Sequence, residues 1–168
     1  NMAKQVVING ISILPGESKM VSLNIAKLPS RAPITIPVYV FRSLEDGPTL
    51  LLNAGLHGDE INGIEIVRRL LASKQAIPQR GTVVAIPVLN IFGFINFSRD
   101  LQDGKDVNRS FPGNANGSLA SRIAWHFMKE VLPNIDFGID FHTGGASRSN
   151  YPQIRARLEW EINLELAN

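Results

Sequence analysis

A continuous apolar run followed closely by a helical pattern is the feature that most restricts how this chain can fold. Residues 50–54 (Leu-Leu-Leu-Asn-Ala) have the composition of a strand covered on both faces. Residues 82–89 are again β-rich, and between the two runs apolar residues recur at helical spacing at Ile61, Ile64, Val67, Leu70 and Leu71. A strand, a helix and a strand in that order predict a right-handed crossover with parallel strand pairing.

The rest of the chain adds further strands and one strong helix. The apolar pattern predicts strands at residues 6–14, 20–26, 34–41 and 135–141. Ser118 is expected to cap an amphipathic helix that Pro133 ends. Residues 90–117 lack periodicity, and loops of that length tend to be functional. The tail at 158–166 alternates strictly, which predicts a strand. The fold class expected is therefore α/β, a sheet with helices on its faces.

Two of the predicted strands are followed by side chains that can bind a metal. His57 and Glu60 lie between the 50–54 run and the helix, and His142 directly follows the 135–141 run. Two neutral imidazoles and a carboxylate, with a fourth position for water, are a usual ligand set for catalytic zinc. Open α/β sheets carry their sites at the carboxyl ends of strands. The alternative is that His57 is a turn residue and Glu60 a charge favoured by the helix dipole.

Composition narrows the classes of function. The 168 residues suit one domain, with 44% hydrophobic and 19% charged residues. A net charge of +2 from dispersed Lys and Arg argues against nucleic-acid binding. The chain has no cysteine, so a zinc site must use His and carboxylate ligands. No signal region or membrane-length apolar stretch is found, and a cytoplasmic location is expected.

The long loop at residues 90–117 carries two arginines that could bind a substrate. Asn108 and Arg109 are adjacent and flanked by Phe-Pro and glycines, an arrangement suited to bidentate capture of a substrate carboxylate. Arg99 is expected to face a developing oxyanion. The alternative is that both are solvated loop arginines.

Two further side chains have competing explanations. Asp140 precedes His142 by two residues and so lies on the same strand face, where it can accept the second ring N–H of a ligand histidine. It is equally explained as a buried Asp that caps a neighbouring loop. His126, at the edge of the amphipathic helix, is expected to be a packed histidine and not a ligand.

Taken together, the motifs resemble those of the succinylglutamate desuccinylase/aspartoacylase family, a branch of the zinc carboxypeptidase-like hydrolases. The resemblance covers roughly residues 50 to 155, and three separate motifs occur in the same order as in the family. They are His57-x-x-Glu60 followed by Arg99, then Asp106-Val107-Asn108-Arg109-Ser110-Phe111-Pro112-Gly113, and Asp140-Phe141-His142-Thr143-Gly144-Gly145.

The resemblance implies a fold and a set of roles. It implies a three-layer α/β/α fold of the zinc carboxypeptidase type with a mixed, largely parallel sheet. One zinc ion per chain would be held by His57, Glu60 and His142. Arg99 would polarise the scissile carbonyl, and Asn108 and Arg109 would hold the substrate's carboxylate. Residues 2–168 are expected to form a single zinc-hydrolase domain, incomplete at its C-terminal side because the family's small C-terminal domain is not seen.

The family's general base is a glutamate on a later strand, and Glu165 is the residue that matches it best. The glutamates that follow His142 are Glu159, Glu161 and Glu165. Of these, Glu165 lies in the sequence Asn163-Leu164-Glu165-Leu166, which is the most similar to the sequence around the family's general base. The interval from His142 is shorter than in relatives. The alternatives are that a stretch is absent from the chain or that the base lies beyond Asn168.

The sequence therefore favours a zinc-dependent hydrolase that cleaves an N-acyl amide of a small carboxylate-bearing molecule. Zinc would supply hydroxide at neutral pH, and the glutamate would transfer the proton to the leaving amine. One alternative is a metallocarboxypeptidase that uses the same residues on peptide C-termini. Another is a non-catalytic zinc-binding module. A two-metal aminopeptidase is disfavoured because no third histidine or bridging Asp is well placed. No nucleic-acid or membrane partner is expected.

Overall fold

The protein is described by a computed structural model that covers residues 4–167. The strands are β1 (Val6–Ile8), β2 (Ile11–Ile13), β3 (Ser18–Lys27), β4 (Pro33–Arg42), β5 (Thr49–Ala54), β6 (Thr82–Ile86) and β7 (Phe137–Phe141). The helices are α1 (Ile61–Ala72), α2 (Ile91–Ile95), α3 (Leu119–His126) and α4 (Glu161–Ala167). Within the described residues, no helix has both the length and the apolar character needed to cross a bilayer.

A mixed five-stranded sheet with flanking helices forms the framework. The strand order is β3-β4-β6-β5-β7. β5 pairs in parallel with both β6 and β7, whereas β3 with β4 and β4 with β6 are antiparallel. The predicted parallel pairing across α1 is confirmed. The parallel pairing of β5 with β7 brings the carboxyl ends of these two strands to one edge of the sheet.

Both faces of the central strands are buried, as the apolar run at residues 50–54 predicts. On β5, Leu51 packs into one core cluster with Ile123 of α3, and the next residue, Leu52, packs into a second cluster with Val67 of α1. Successive side chains of a strand point to opposite faces, so the two clusters cover opposite faces of β5. This double cover holds the strand ends, and the loops that follow them, in fixed positions.

The first predicted strand is wrong as a single element, because residues 6–14 fold into the β1–β2 hairpin. Ile8 pairs with Ile11 across a two-residue turn at Asn9 and Gly10. Both turn residues have positive φ angles, 49° and 74°. An Asn-Gly pair is the strongest short hairpin signal, and here it divides an otherwise unbroken apolar pattern.

The helix predicted after Ser118 is confirmed at its start. The Ser118 side chain accepts the backbone N–H of Ser121, as an N-cap does. Beyond His126 the helix widens into a π turn at Phe127–Val131 and closes with a 3-10 turn at Leu132–Asn134. The aperiodic segment at 90–117 also contains structure, namely α2 and a 3-10 turn at Val107–Arg109, both too short to produce a periodic pattern.

The predicted strand in the tail is also wrong, because Glu161–Ala167 forms helix α4. The Trp160 carbonyl accepts the N–H groups of Asn163 and Leu164, so the backbone satisfies itself locally. Alternation of apolar side chains gives a strand only where a sheet edge supplies backbone partners. No such edge pairs with this segment in the described part of the chain, and Glu, Leu and Ala favour a helix.

Candidate metal centre

The three predicted metal ligands lie at one edge of the sheet because β5 and β7 are parallel. The register pairs Ala54 with Phe141, the last residues of the two strands. His142 follows β7 directly, His57 lies in the turn after β5, and Glu60 is the N-cap residue of α1. The sheet and the first turn of α1 thus bring together side chains that are 82 residues apart in sequence.

Glu60 stands between the two imidazoles. Its Oε1 lies 2.7 Å from Nδ1 of His57, and its Oε2 lies 2.9 Å from Nδ1 of His142. Oε2 also accepts the backbone N–H of Thr143 at 2.9 Å. One donor atom from each of the three side chains lies within 4.8 Å of the others. The side chains of His57 and Glu60 are 3% and 4% exposed, whereas that of His142 is 38% exposed.

The second nitrogen of each imidazole faces a carboxylate. Nε2 of His142 is 2.7 Å from Oδ2 of Asp140, the contact expected from their spacing on the strand. Nε2 of His57 lies 3.3 Å from Oδ1 of Asp106, although this nitrogen forms no hydrogen bond within the part of the chain that the structure describes. The hydrogen bond to Asp140 raises the pKa of His142 against the opposing effect of burial. A carboxylate in this position fixes the tautomer and the orientation of a ligand histidine.

Arg99 reaches the same cluster from the long loop. Its Nη1 lies 3.3 Å from Nδ1 of His57 and 3.6 Å from Oε1 of Glu60. Its Nη2 donates to Oδ2 of Asp106 at 3.1 Å. Burial acts to raise the pKa of Asp106, but the Asn108 N–H, His57 and Arg99 hold that pKa below its ordinary value. Asp106 is therefore an anion that ties the guanidinium to the neighbourhood of His57.

The donor set fits a divalent cation such as zinc. Two Nδ1 atoms and a buried carboxylate converge, and both outward nitrogens face an acceptor, as is usual for zinc-binding histidines. Without a metal, a buried carboxylate needs neighbouring donors or positive charge, which Thr143 and Arg99 supply here. The ligand role of these three residues stays a prediction.

Asn108 and Arg109 lie on the 3-10 turn at Val107–Arg109. Val107 is fully buried and anchors the turn, while the side chains of Asn108 and Arg109 are exposed. Oδ1 of Asp106 accepts the Asn108 N–H at 2.7 Å, which links the turn to the metal cluster. Among residues 4–167, the Arg109 guanidinium has no hydrogen bond or ion pair. The turn thus leaves two polar side chains available to a ligand.

A cavity of about 250 Å³ lies between this turn and the strand ends. Apolar side chains such as Leu51 and Phe111 form much of its wall, and Asn53, Asn108 and Asp140 contribute polar groups. A largely apolar cavity with a few polar groups is typical of a small-molecule site.

The structure does not bring Glu165 to the centre. Glu165 is exposed on α4, and none of the hydrogen bonds or ion pairs found in the described residues connects it to the metal cluster. His126 also lies apart. Its ring packs edge-on to Trp125 with centroids 4.8 Å apart, as expected for a packed histidine.

Two residues of the centre have roles that were not identified from the sequence. Asp106 belongs to the quoted motif, but nothing in that motif indicates contact with His57 and Arg99. Asn53 is a polar residue within an apolar strand, and its amide donates to Asp140 at 2.7 Å. An isolated buried amide in such a run is the signal that could have identified it, because a buried polar group needs a partner.

Comparisons with known proteins all indicate the same family. The model of the Succinylglutamate desuccinylase/Aspartoacylase catalytic domain matches residues 46–166. The N-alpha-acetyl-L-2,4-diaminobutyric acid deacetylase of Halomonas elongata is 37% identical over 120 residues, which is 71% of this chain and 35% of that protein.

Solved structures agree with this result. An aspartoacylase family protein from Mesorhizobium loti is 30% identical with a TM-score of 0.68, over 77% of this chain and 41% of that one. The ectoine utilization protein EutE (DoeB) of Ruegeria pomeroyi in a product-bound form is 29% identical with a TM-score of 0.66, over 78% and 42%. The chain therefore spans less than half the length of these relatives.

The packing of Gly58 against α2 gives a test of the cluster's rigidity. A Cβ on Gly58 would lie 1.8 Å from the carbonyl carbon of Gly93 and 2.1 Å from the nitrogen of Phe94. In a Gly58→Ala variant, the turn that carries His57 and Glu60 must move away from α2. We expect the free energy of unfolding to fall by about 1–3 kcal/mol and zinc affinity to fall by about tenfold or more, as measured by urea denaturation and competitive zinc titration.

Gly138→Ala is the matched control. Its Cβ would lie 3.7 Å from Leu51, an ordinary contact, and like Gly58 its φ is not positive. We expect little change in either quantity. Equal zinc affinities for the two variants would show that the turn tolerates displacement and that the cluster does not depend on it.

Proposed function

The chain belongs to the succinylglutamate desuccinylase/aspartoacylase family, and on that premise we propose that it is the zinc-binding part of a hydrolase. The reaction proposed is cleavage of the N-acyl amide of a small, carboxylate-bearing molecule. The observation that carries the proposal is the convergence of two imidazole Nδ1 atoms on the buried Glu60 carboxylate, with the Arg99 guanidinium beside it. We also propose that the protein acts in the cytoplasm.

The proposal includes a fold of the zinc carboxypeptidase type. The sheet would be the middle layer of a three-layer α/β/α arrangement, with α1 on one face and α3 on the other. The separate core clusters that contain Leu51 and Leu52 support this arrangement. Residues 2–168 would belong to a single zinc-hydrolase domain.

His57, Glu60 and His142 would hold one zinc ion per chain. When bound there, zinc supplies Lewis-acid polarisation and lowers the pKa of water towards 7. The protein's contribution is to hold the three donor atoms in place. Asp140 would keep the His142 ring oriented through its contact with Nε2, and the Asp106 carboxylate lies 3.3 Å from Nε2 of His57.

Arg99 would polarise the scissile carbonyl. Its guanidinium is bound to Asp106 through Nη2, which leaves Nη1 directed at the cluster where the amide must lie. A hydrogen bond from Nη1 to the carbonyl oxygen would strengthen as negative charge develops on that oxygen. Removal of one donor of this kind costs about 10²–10³ in rate.

Asn108 and Arg109 would hold the carboxylate of the substrate. Their exposed side chains project from a turn that buried Val107 anchors and that Asp106 caps. An Arg–carboxylate pair is directional because two parallel N–H groups meet two oxygens. Bound in this way, the substrate would place its amide towards Arg99 and its acyl group in or near the cavity beside Asn108.

Glu165 is the proposed general base. Its carboxylate would take a proton from the attacking water and deliver it to the leaving amine nitrogen. For this role α4 has to bring Glu165 to the edge of the sheet where Arg99 and the metal ligands lie. Only residue identity and order in the sequence support this assignment, since α4 lies exposed and apart from the cluster.

The relative from Halomonas elongata acts on an N-α-acetyl amino acid, so we propose substrates of that class. A panel should contain N-acetyl-L-2,4-diaminobutyrate, the same compound with its carboxylate converted to a carboxamide, and dipeptides. With zinc-loaded protein, we expect hydrolysis of the free acid and a kcat/KM about 10–100-fold lower for the carboxamide, the loss expected for charge-assisted hydrogen bonds. Chelator-treated protein is the control.

Each outcome of the panel separates two functions. Preference for dipeptides would favour the metallocarboxypeptidase. Zinc binding without hydrolysis of any compound would favour a non-catalytic zinc-binding module. Equal rates for acid and carboxamide would contradict the role of Asn108 and Arg109.

The general base has a separate test. Glu165→Gln keeps the size of the side chain and removes its ability to accept a proton, so we expect kcat to fall by about 10²–10⁴. Zinc affinity should not change, because Glu165 is not among the ligands. Glu161→Gln on the same exposed helix is the matched control. Unchanged turnover in Glu165→Gln would remove Glu165 as the base.

A further inference from the structure

Asn53 is a buried polar residue in a strand whose other residues are mostly apolar. Its neighbours on β5 are leucines and Ala54, and only 3% of its own surface is exposed. Burial of an amide is unfavourable unless its polar atoms find partners. An apolar side chain such as leucine, which has the same branched shape, would avoid that cost, so packing alone does not explain the amide.

The partner of Asn53 is Asp140 on the adjacent strand. The two residues lie directly opposite each other in the parallel register of β5 and β7. Nδ2 of Asn53 donates to Oδ1 of Asp140 at 2.7 Å, and Oδ2 of the same carboxylate is 2.7 Å from Nε2 of His142. Each carboxylate oxygen therefore has one partner, and the chain of contacts continues from His142 Nδ1 to Glu60.

The chemistry of the two side chains determines which of them donates the hydrogen bond. An ionised carboxylate only accepts hydrogen bonds, so Asn53 must present its NH₂ group to Asp140. The carbonyl oxygen Oδ1 of Asn53 is left buried, with no partner among the described residues. A buried acceptor without a hydrogen-bond partner is unfavourable. The contact with Asp140 is thus maintained although it leaves a buried polar atom unsatisfied.

His142 needs such support more than His57 does. The His57 side chain is 3% exposed and is enclosed by its surroundings, whereas the His142 side chain is 38% exposed and follows an edge strand. Asp140 is itself 40% exposed at the side chain, so packing alone leaves it several rotamers. The hydrogen bond from the rigid, buried Asn53 selects the rotamer that meets His142.

We propose that Asn53 is a positioning residue of the metal centre, acting through Asp140 to hold His142 with Nε2 protonated and Nδ1 available to the metal. The inference rests on the proposed function, because it takes His142 to be a ligand. It assigns a role in metal affinity to a residue that is not itself a proposed ligand and that also lines the cavity beside Asn108. Loss of such supporting residues typically lowers metal affinity by about 10–100-fold.

The test is the zinc dissociation constant of the full chain, measured by competition with a chromophoric chelator. Asn53→Leu removes the donor and keeps the branched shape of the side chain, and we expect about tenfold weaker binding. Thr49→Val is the matched control, because Thr49 is buried on the same strand and, among residues 4–167, its hydroxyl has no partner and it forms no hydrogen bond with Asp140. We expect zinc affinity in Thr49→Val to equal that of the unmodified chain.

A double-mutant cycle with Asp140→Ala distinguishes positioning from a general structural effect. If Asn53 acts through Asp140, adding Asn53→Leu to Asp140→Ala costs little further affinity. An equal loss in both backgrounds would overturn the proposal. Asn53→Ser, which is too short to reach Asp140, provides a second variant if Asn53→Leu fails to fold by circular dichroism, and it should show the same loss and the same coupling.

The result also separates this inference from the proposed function. If the unmodified chain does not bind zinc, the proposed function fails. If the unmodified chain binds zinc and folded Asn53→Leu or Asn53→Ser binds it equally well, the role of Asn53 is refuted while the metal site stands.

Discussion

The contact of one buried carboxylate with two imidazoles is the interaction on which this site depends. Glu60 places one oxygen 2.7 Å from Nδ1 of His57 and the other 2.9 Å from Nδ1 of His142. It thereby joins the turn after β5, the start of α1 and the end of β7. A carboxylate that is 4% exposed is stable only with such partners, so the three elements must be placed correctly for the site to exist.

The two imidazoles are held by different means. His57 is enclosed and lies near Asp106, which is also bound to Arg99, so one carboxylate links a proposed ligand to a proposed catalytic group. His142 is half open and is held by Asp140, which Asn53 in turn orients. One support comes from the long loop and the other from the sheet itself. Changes in the loop should therefore affect Arg99 and His57 together, while changes in the strands should affect His142.

The sequence was sufficient for the central elements because their signals are local and strong. The apolar run before His57 and the spacing of Ile61, Ile64 and Val67 predict β5 and α1, and the ends of parallel strands predict that His57 and His142 meet. Side-chain partnerships were harder to predict. The contact of Asn53 with Asp140 depends on strand register, which no pattern within a single strand specifies.

The errors have physical causes of the same kind. The alternation in the tail has the period of a strand, but no neighbouring strand edge receives it in the described residues, and a helix forms instead. Asn9 and Gly10 turn the chain within a run that hydrophobicity alone marks as continuous. In both places, long-range pairing or turn chemistry decided the outcome. Because the tail forms a helix, Glu165 does not lie on a strand as the family's general base does.

We propose above that His57 and His142 bind one zinc ion through Nδ1, together with Glu60. Nitrogen-15 NMR of the imidazoles during zinc titration tests this proposal most directly. The chain has three histidines, so His126, packed against Trp125, is an internal reference. We expect one equivalent of zinc to shift the Nδ1 resonances of His57 and His142 and to leave those of His126 unchanged. Zinc saturation that leaves the resonances of His57 and His142 in place, or that shifts His126 instead, would contradict it.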